Sequence, residues 1–393
     1  MDLVYLDNNA TTRVDPLVLE AMLPHLEGHA GNPSSIHAAG REARSAVHRA
    51  RHTIAGALGA ETDEIVFTSG GTEADALAIL GIARARARAG HGRHVITTAI
   101  EHEAVLDSLP ILEREGFETT VVPVDNVGCV ELGALEASLR DDTALVSVMS
   151  ASNEVGTIQP LDAIAEMLRE RDIPFHSDAV QALGKIPMSV DTPHVDALTL
   201  SAHKIHGPKG VGALFVRKGT PIDPLFGGGG QEGQRRSGTE NVAGIVGFAR
   251  AVELAVERQA TAARHMKQLS EAFLGRILDR IADVELNGSP DDRLPNTLNL
   301  SFAGVDSEAL VISLDLASVA VSAGSACASG SLEPSHVLGA MGLAHERVKS
   351  AIRISMSRET TAEDLERTFL ALENAIHRIR SVRRNDLRSG DSA

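Results

Sequence analysis

Short β-branched runs alternate along the first two-thirds of the chain with stretches of helical composition. The runs at 64–68, 94–98, 119–124, 144–149, 174–177, 197–200 and 212–216 are predicted strands; 73–89, 104–115, 132–140 and 164–171 are predicted helices. That βαβα order argues for a mostly parallel sheet with helices on both faces, a fold in which sites gather at the carboxyl ends of strands. After Asn241 the pattern changes. One or two long helices are predicted over 241–281, then strands at 297–302, 319–322 and 351–355, with helices near 307–316, 335–340 and 362–378. This second part reads as a smaller α+β domain, with a boundary near 255–265 and a polar, frayed tail after Arg380.

Composition narrows the function classes. The 393 residues are too many for one small core and suggest a large domain with a smaller companion. A net charge of -16 repels phosphate backbones, so nucleic acid is a poor partner. No run reaches the ~18 apolar residues of a membrane span, and Met1–Leu6 lacks the basic start and apolar core of a signal peptide. Two cysteines, Cys129 and Cys327, make no disulfide framework. These features place the protein in the cytoplasm, where thiols stay reduced.

Polar oddities cluster at the predicted strand ends. Thr68-Ser69-Gly70-Gly71-Thr72-Glu73 joins a strand to a helix. It reads as a phosphate cradle of backbone N–H groups and hydroxyls, or equally as an ordinary capped turn. Asp178 follows a strand; it caps the next segment or holds a protonated ring nitrogen such as that of pyridoxal phosphate (PLP). Ser201-Ala202-His203-Lys204 ends another strand. A lysine there can form a Schiff base with an aldehyde, but Lys185, Lys204 and Lys209 compete for that role on chemistry alone. Cys327 stands in Gly324-Ser325-Ala326-Cys327-Ala328-Ser329-Gly330-Ser331, a setting of small residues that suggests an exposed, mobile and reactive thiol. Cys129, in a predicted turn, reads as structural or incidental.

Together these segments resemble the cysteine desulfurases of the NifS/IscS group, class-V aminotransferases among the fold-type-I PLP-dependent transferases. The resemblance runs from about Tyr5 to about Arg378. It rests on the run Tyr5 to Thr12, Gly31-Asn32-Pro33-Ser34-Ser35, Thr72-Glu73, Glu101-His102, Asn153-Glu154-Val155-Gly156, Asp178-Ala179-Val180-Gln181, His203-Lys204, Arg236-Ser237-Gly238-Thr239, the Cys327 segment through Ser335-His336, and Arg353. It departs from the family at Ser152, Ala323 and Gly233-Gln234, none of which removes a named catalytic group. The implied fold is a large domain, residues 15–260, with a mostly parallel seven-stranded sheet. Residues 1–14 and 261–393 would form a small α+β domain carrying the Cys327 segment.

The resemblance also implies roles. Lys204 would bind PLP covalently and move the Cα proton, Asp178 would pair with the ring nitrogen, and His102 would stack on the ring and serve as an acid/base group. Gln181 and Asn153 would face the ring oxygen and substrate. Gly71, Thr72, Ser201 and His203 would bind the phosphate, with Thr239 reaching the phosphate of a second subunit in a homodimer. Arg353 would clamp the carboxylate of L-cysteine, and Cys327 would take the sulfur as a persulfide, leaving L-alanine. A sulfur-acceptor or Fe–S scaffold protein would collect it, for iron–sulfur cluster assembly. No resident metal is implied, because two thiols per chain cannot supply an Fe–S cluster's four; a transient Fe–S ligand role for Cys327, shared with a partner, stays open. Other PLP enzymes of this fold (an aminotransferase, a selenocysteine lyase, a kynureninase-like hydrolase) would not need that thiol.

Overall fold

A computed structural model describes residues 2–28, 30–323 and 334–390, with side chains described as far as Val382. Cys327 lies outside the described residues. The strands, in chain order, are β1 Val4–Tyr5, β2 Ile65–Thr68, β3 His94–Thr98, β4 Glu118–Val122, β5 Thr143–Ser147, β6 Phe175–Asp178, β7 Ala197–Ser201, β8 Gly212–Val216, β9 Val284–Asn287, β10 Thr297–Phe302, β11 Val319–Ala320, β12 Ser322–Ala323 and β13 Ala351–Ser355. Seven of them form one sheet in the order β2-β8-β7-β6-β5-β3-β4. All its pairings are parallel except those of β8, which runs against both neighbours.

The two faces of this sheet follow from the period-two alternation of strand side chains. Phe67, Ile96, Val146, Leu198 and Phe215 point to one side and pack with Ile54, Leu58, Phe248 and Val252. Their neighbours Val66, Val95, Leu145, Ala197 and Leu214 point to the other and pack with Leu77, Ile79, Leu109 and Leu112. Burial on both faces is why adjacent positions are both apolar, as at Val95-Ile96, Leu145-Val146 and Ala197-Leu198. The edge strand β4 keeps Glu118 and Val121 exposed.

A second core surrounds a four-stranded antiparallel sheet, β12-β13-β10-β9. Leu298, Leu300, Ile352 and Ile354 meet Phe273, Leu310, Phe369 and Leu372 there. Val4 and Leu6 belong to the same core, because β1 pairs in parallel with β11 and Asp7 bridges to Ser355. One helix, Val242–Arg280, enters both cores: Phe248 and Val252 near its start, Phe273 and Ile277 near its end. Its 39 residues extend over about 58 Å.

Several expected elements differ. The single helix expected over 73–89 is Gly71–Ala76, a wider π-turn segment Leu77–Ile82, and Ala83–Arg88. Within it the Gly81 carbonyl accepts from Asp223 N at 3.0 Å, and a side chain at Gly81 would collide with Asp223 O. The helix expected over 104–115 is Glu103–Leu106 followed by Leu109–Arg114, since Pro110 has no N–H to continue the ladder. The strand expected over 319–322 divides into β11 and β12, which join different sheets. The final helix, Ala362–Gly390, continues past the point where fraying was expected.

Candidate active site

The strand ends converge on a cleft lined by Gly71, Thr72, His102, Asn153, Asp178, Gln181, Ser201, His203 and Lys204, together with Asn9 and Asp75. The sequence-derived site residues therefore meet, with three exceptions. Thr239 is exposed and does not line the cleft of its own chain. Arg353 lies just behind the cleft wall. Cys327 is outside the described residues.

Each wall has a local cause. Gly71 begins the Gly71–Ala76 helix, and a Cβ there would press on Val180 Cγ2 at 3.0 Å. Glu73 ties that turn to a distant loop: it accepts from Ser69 N at 2.8 Å and from Arg236 Nε at 2.7 Å. Asp178 ends β6; its Oδ1 caps the next turn by accepting from Val180 N at 2.8 Å, and the carboxyl also lines the cleft. Ser201 ends β7, and its buried hydroxyl has no hydrogen-bond partner among the described residues. His203 approaches Thr11 Oγ1 at 3.1 Å; burial and then Lys204 and Lys209 lower its pKa to about 4, which leaves a neutral imidazole at pH 7.

Of the three candidate lysines, Lys209 is exposed and Lys185 lies buried behind the cleft wall, while Lys204 lines the cleft. Lys204 Nζ donates to the carbonyls of Asn9 at 2.6 Å and Ala10 at 2.8 Å. His102 caps the Glu103–Leu106 helix, its Nδ1 accepting from Ala104 N at 3.0 Å. A neutral His102 therefore carries its proton on Nε2. Arg353 is 1% exposed. It donates through Nη1 to Asn153 O at 3.1 Å and through Nη2 to Asp7 Oδ1 at 2.7 Å, while Nε is buried without a partner among the described residues.

Three buried carboxyls gather at the cleft: Asp75 and Asp178 line it, and Glu101 lies behind them. Burial raises the pKa of Asp75, of Asp178 and of Glu101, the last to about 8; the Asp178 charge also works against ionisation of Asp75 and Glu101, while His102 and Lys204 partly offset the rise at Asp178. Glu101 Oε1 accepts from Thr98 Oγ1 at 2.6 Å and Met149 N at 3.0 Å, while Oε2 has no described partner. An unfolded glutamate loses its proton near 4.5 and the folded Glu101 near 8. Between those values the native state holds the extra proton, so stability falls as pH rises, by at most about 1.4 kcal/mol per pH unit. Glu101→Gln copies the protonated form and is expected to flatten that decline, measured by urea unfolding from pH 5 to 8. An unchanged slope would mean that Glu101 is ionised in the fold.

Both described flanks of the Cys327 segment are tied to this site. Ser322 of β12 pairs with Arg353. On the other side Ser335 Oγ donates to buried Glu154 Oε2 at 2.6 Å, and His336 Nε2 lies 3.0 Å from Glu101 O. Glu154 follows Asn153 and Glu101 precedes His102, so each anchor is one residue from a cleft-lining group.

The chain matches the Aminotransferase class-V family over residues 4–368. It belongs to that family. It is 50% identical over 379 residues, 96% of each chain, to cysteine desulfurase IscS of Dictyoglomus turgidum. Among solved structures, a NifS-like protein superposes with a TM-score of 0.89 at 41% identity, covering 95% of this chain and 99% of that one. A second, SspA in complex with cysteine, superposes with a TM-score of 0.79 at 36% identity, covering 91% and 99%. The family cofactor is pyridoxal 5'-phosphate. The residues of this class-V cleft suit it: an amine at Lys204, an acid at Asp178, and at Ser201 a buried hydroxyl without a partner among the described residues, in the same cleft as Thr72. Asn9, Asp75 and Lys185 gained no role from the sequence; Asn9 lay within the run Tyr5 to Thr12, and Lys185 appeared only as a rival lysine.

Proposed function

We propose that the chain is a cysteine desulfurase that converts L-cysteine to L-alanine and takes the sulfur onto Cys327 as a persulfide. The observation that carries this is the meeting of Lys204, Asp178 and His102 in one cleft of a chain half identical to a named cysteine desulfurase. When bound, PLP supplies an electron sink, its protonated ring accepting the charge left when a Cα proton departs.

The chain's own groups do the rest. Asp178 keeps the ring nitrogen protonated, as a buried carboxylate opposite a cation would. His102 covers the ring face. Gln181 and Asn153 face the ring oxygen and the substrate. Gly71, Thr72, Ser201 and His203 hold the phosphate, and exposed Thr239 would serve the cleft of a second copy in a homodimer. The Lys204 amine removes the Cα proton and returns one to the product carbon. The Cys327 thiolate attacks the substrate sulfur, the C–S bond breaks, and the electron pair of that bond leaves with the carbon fragment.

Arg353 would hold the substrate carboxylate, exchanging its bonds to Asp7 and Asn153 for it. Guanidinium matches a carboxylate with two parallel donors, and an ammonium does not. Arg353→Lys is expected to raise KM for L-cysteine about tenfold or more, with a smaller fall in kcat. An unchanged KM would place the carboxylate elsewhere.

The reading extends to organisation and partners. Residues 15–260 would form a large domain, and 1–14 with 261–393 a small one. The product persulfide would pass to an acceptor or Fe–S scaffold protein in the cytoplasm, for iron–sulfur assembly. Among the described residues no helix is long and apolar enough to cross a membrane. The direct test is incubation with L-cysteine, following alanine and the mass of the Cys327 peptide. One alanine per persulfide in the absence of an acceptor supports the reading; no alanine sinks it.

A further inference from the structure

Lys185 occupies a costly position. It is buried, and no carboxylate pairs with it among the described residues. Burial, then Lys204 and Arg353, hold its proton affinity well below that of an ordinary lysine. An aliphatic side chain would fill this space without such a penalty. What the amine adds is two donated bonds, to Gln181 Oε1 at 2.6 Å and to Asn9 Oδ1 at 3.2 Å.

Those bonds decide how two amides face. The oxygen and nitrogen of an amide are nearly the same size, so packing alone selects neither flip. A lysine nitrogen, charged or neutral, donates at least twice. It therefore fixes the Gln181 oxygen toward itself and turns Nε2 away, where it donates to Asn9 O at 3.0 Å. Lys204 Nζ rests on the same carbonyl at 2.6 Å. Asn9 is itself locked: Oδ1 also accepts from Asn296 Nδ2 at 2.9 Å, and Nδ2 donates to Asn153 O at 3.0 Å and Thr297 Oγ1 at 2.9 Å.

We propose that Lys185 is a positioning residue: it holds the Gln181 amide so that one Nε2 hydrogen stays on Asn9 O and the other is left for the cofactor's ring oxygen, and it holds the Asn9 carbonyl on which Lys204 rests. The proposal depends on the function above only for the presence of PLP in the cleft. The charged and titratable groups around Lys185 are Lys204 and Arg353, with His206, Arg258 and Arg358 along the cavity behind it. Asp178 acts on Lys204 from the cleft side.

The test is Lys185→Met, prepared as holoenzyme. The pH midpoint of the bound cofactor's visible band (~400–430 nm) is expected to shift by at least about half a unit, because a donor toward the ring oxygen is no longer held in place. With L-cysteine, kcat should fall about tenfold while KM stays within about threefold. Lys185→Arg, which keeps donors, should restore much of the midpoint. Since the effect runs through Gln181, Lys185→Met should add little in a Gln181→Met background. A wild-type midpoint in Lys185→Met, or full additivity in the double variant, overturns the proposal. If Lys185→Met does not fold, Lys185→Arg must keep the midpoint and Gln181→Met must move it; the reverse pattern is equally fatal. Should wild-type protein show the band yet make no alanine, the proposed function fails while the midpoint comparison still stands.

Discussion

Cys327→Ser is expected to keep the cofactor's visible absorbance near ~400–430 nm and to lose sulfur release from L-cysteine by at least about a thousandfold. A hydroxyl has no thiolate to attack the substrate sulfur, whereas the groups that line the cleft are untouched by the change. Cofactor content by absorbance, alanine by chromatography and sulfide by a colour reaction separate the two effects. Full sulfide production by this variant would make the enzyme a lyase that expels sulfur directly. Loss of the absorbance would make Cys327 a structural residue.

Lys204→Ala is expected to reduce alanine formation by at least about ten-thousandfold, since under the proposed roles it would remove both the covalent attachment and the proton carrier. The remaining cleft still offers the Asp178 carboxyl and the hydroxyls of Thr72 and Ser201, so cofactor should bind, without a covalent link. Borohydride reduction followed by peptide mapping checks this. Wild-type protein should carry the cofactor mass on the peptide containing Lys204, and the variant on none. Attachment at Lys185 would reverse the assignment of the two amines.

Much of this was legible in the sequence, for identifiable reasons. Strands β3, β8, β10 and β13 begin and end where expected; for the first three, breakers such as Gly92, Gly210, Gly219, Pro295 and Gly304 flank the apolar and β-branched run. The helix Ala38–Leu58 was not anticipated. Its buried face is made largely of small residues, Ala43, Ala46 and Ala50 among them, which give little hydropathy signal while permitting close packing. Gly71, Thr72, Asp178 and Lys204 could be singled out because each follows a recognisable strand. Asp75 and Lys185 could not, because their importance lies in what is stacked above or beside them. Nor could the pairing of Arg353 with Asp7, whose partners are 346 residues apart.

That separation has a consequence for how the molecule is made. The segment bearing Asn9 hydrogen-bonds near the far end of the chain, Asn8 Nδ2 to Ser355 O at 2.9 Å and Asn9 N to Ser355 Oγ at 2.9 Å. On a ribosome the segment bearing Asn9 must therefore wait until Ser355, 346 positions later, has emerged before the floor beneath Lys204 is complete. Nascent polypeptide released before Ser355, even with Gly71, Thr72, Ser201 and His203 present, would lack that floor. A finished floor under Lys204 thus reports that synthesis has run at least as far as Ser355.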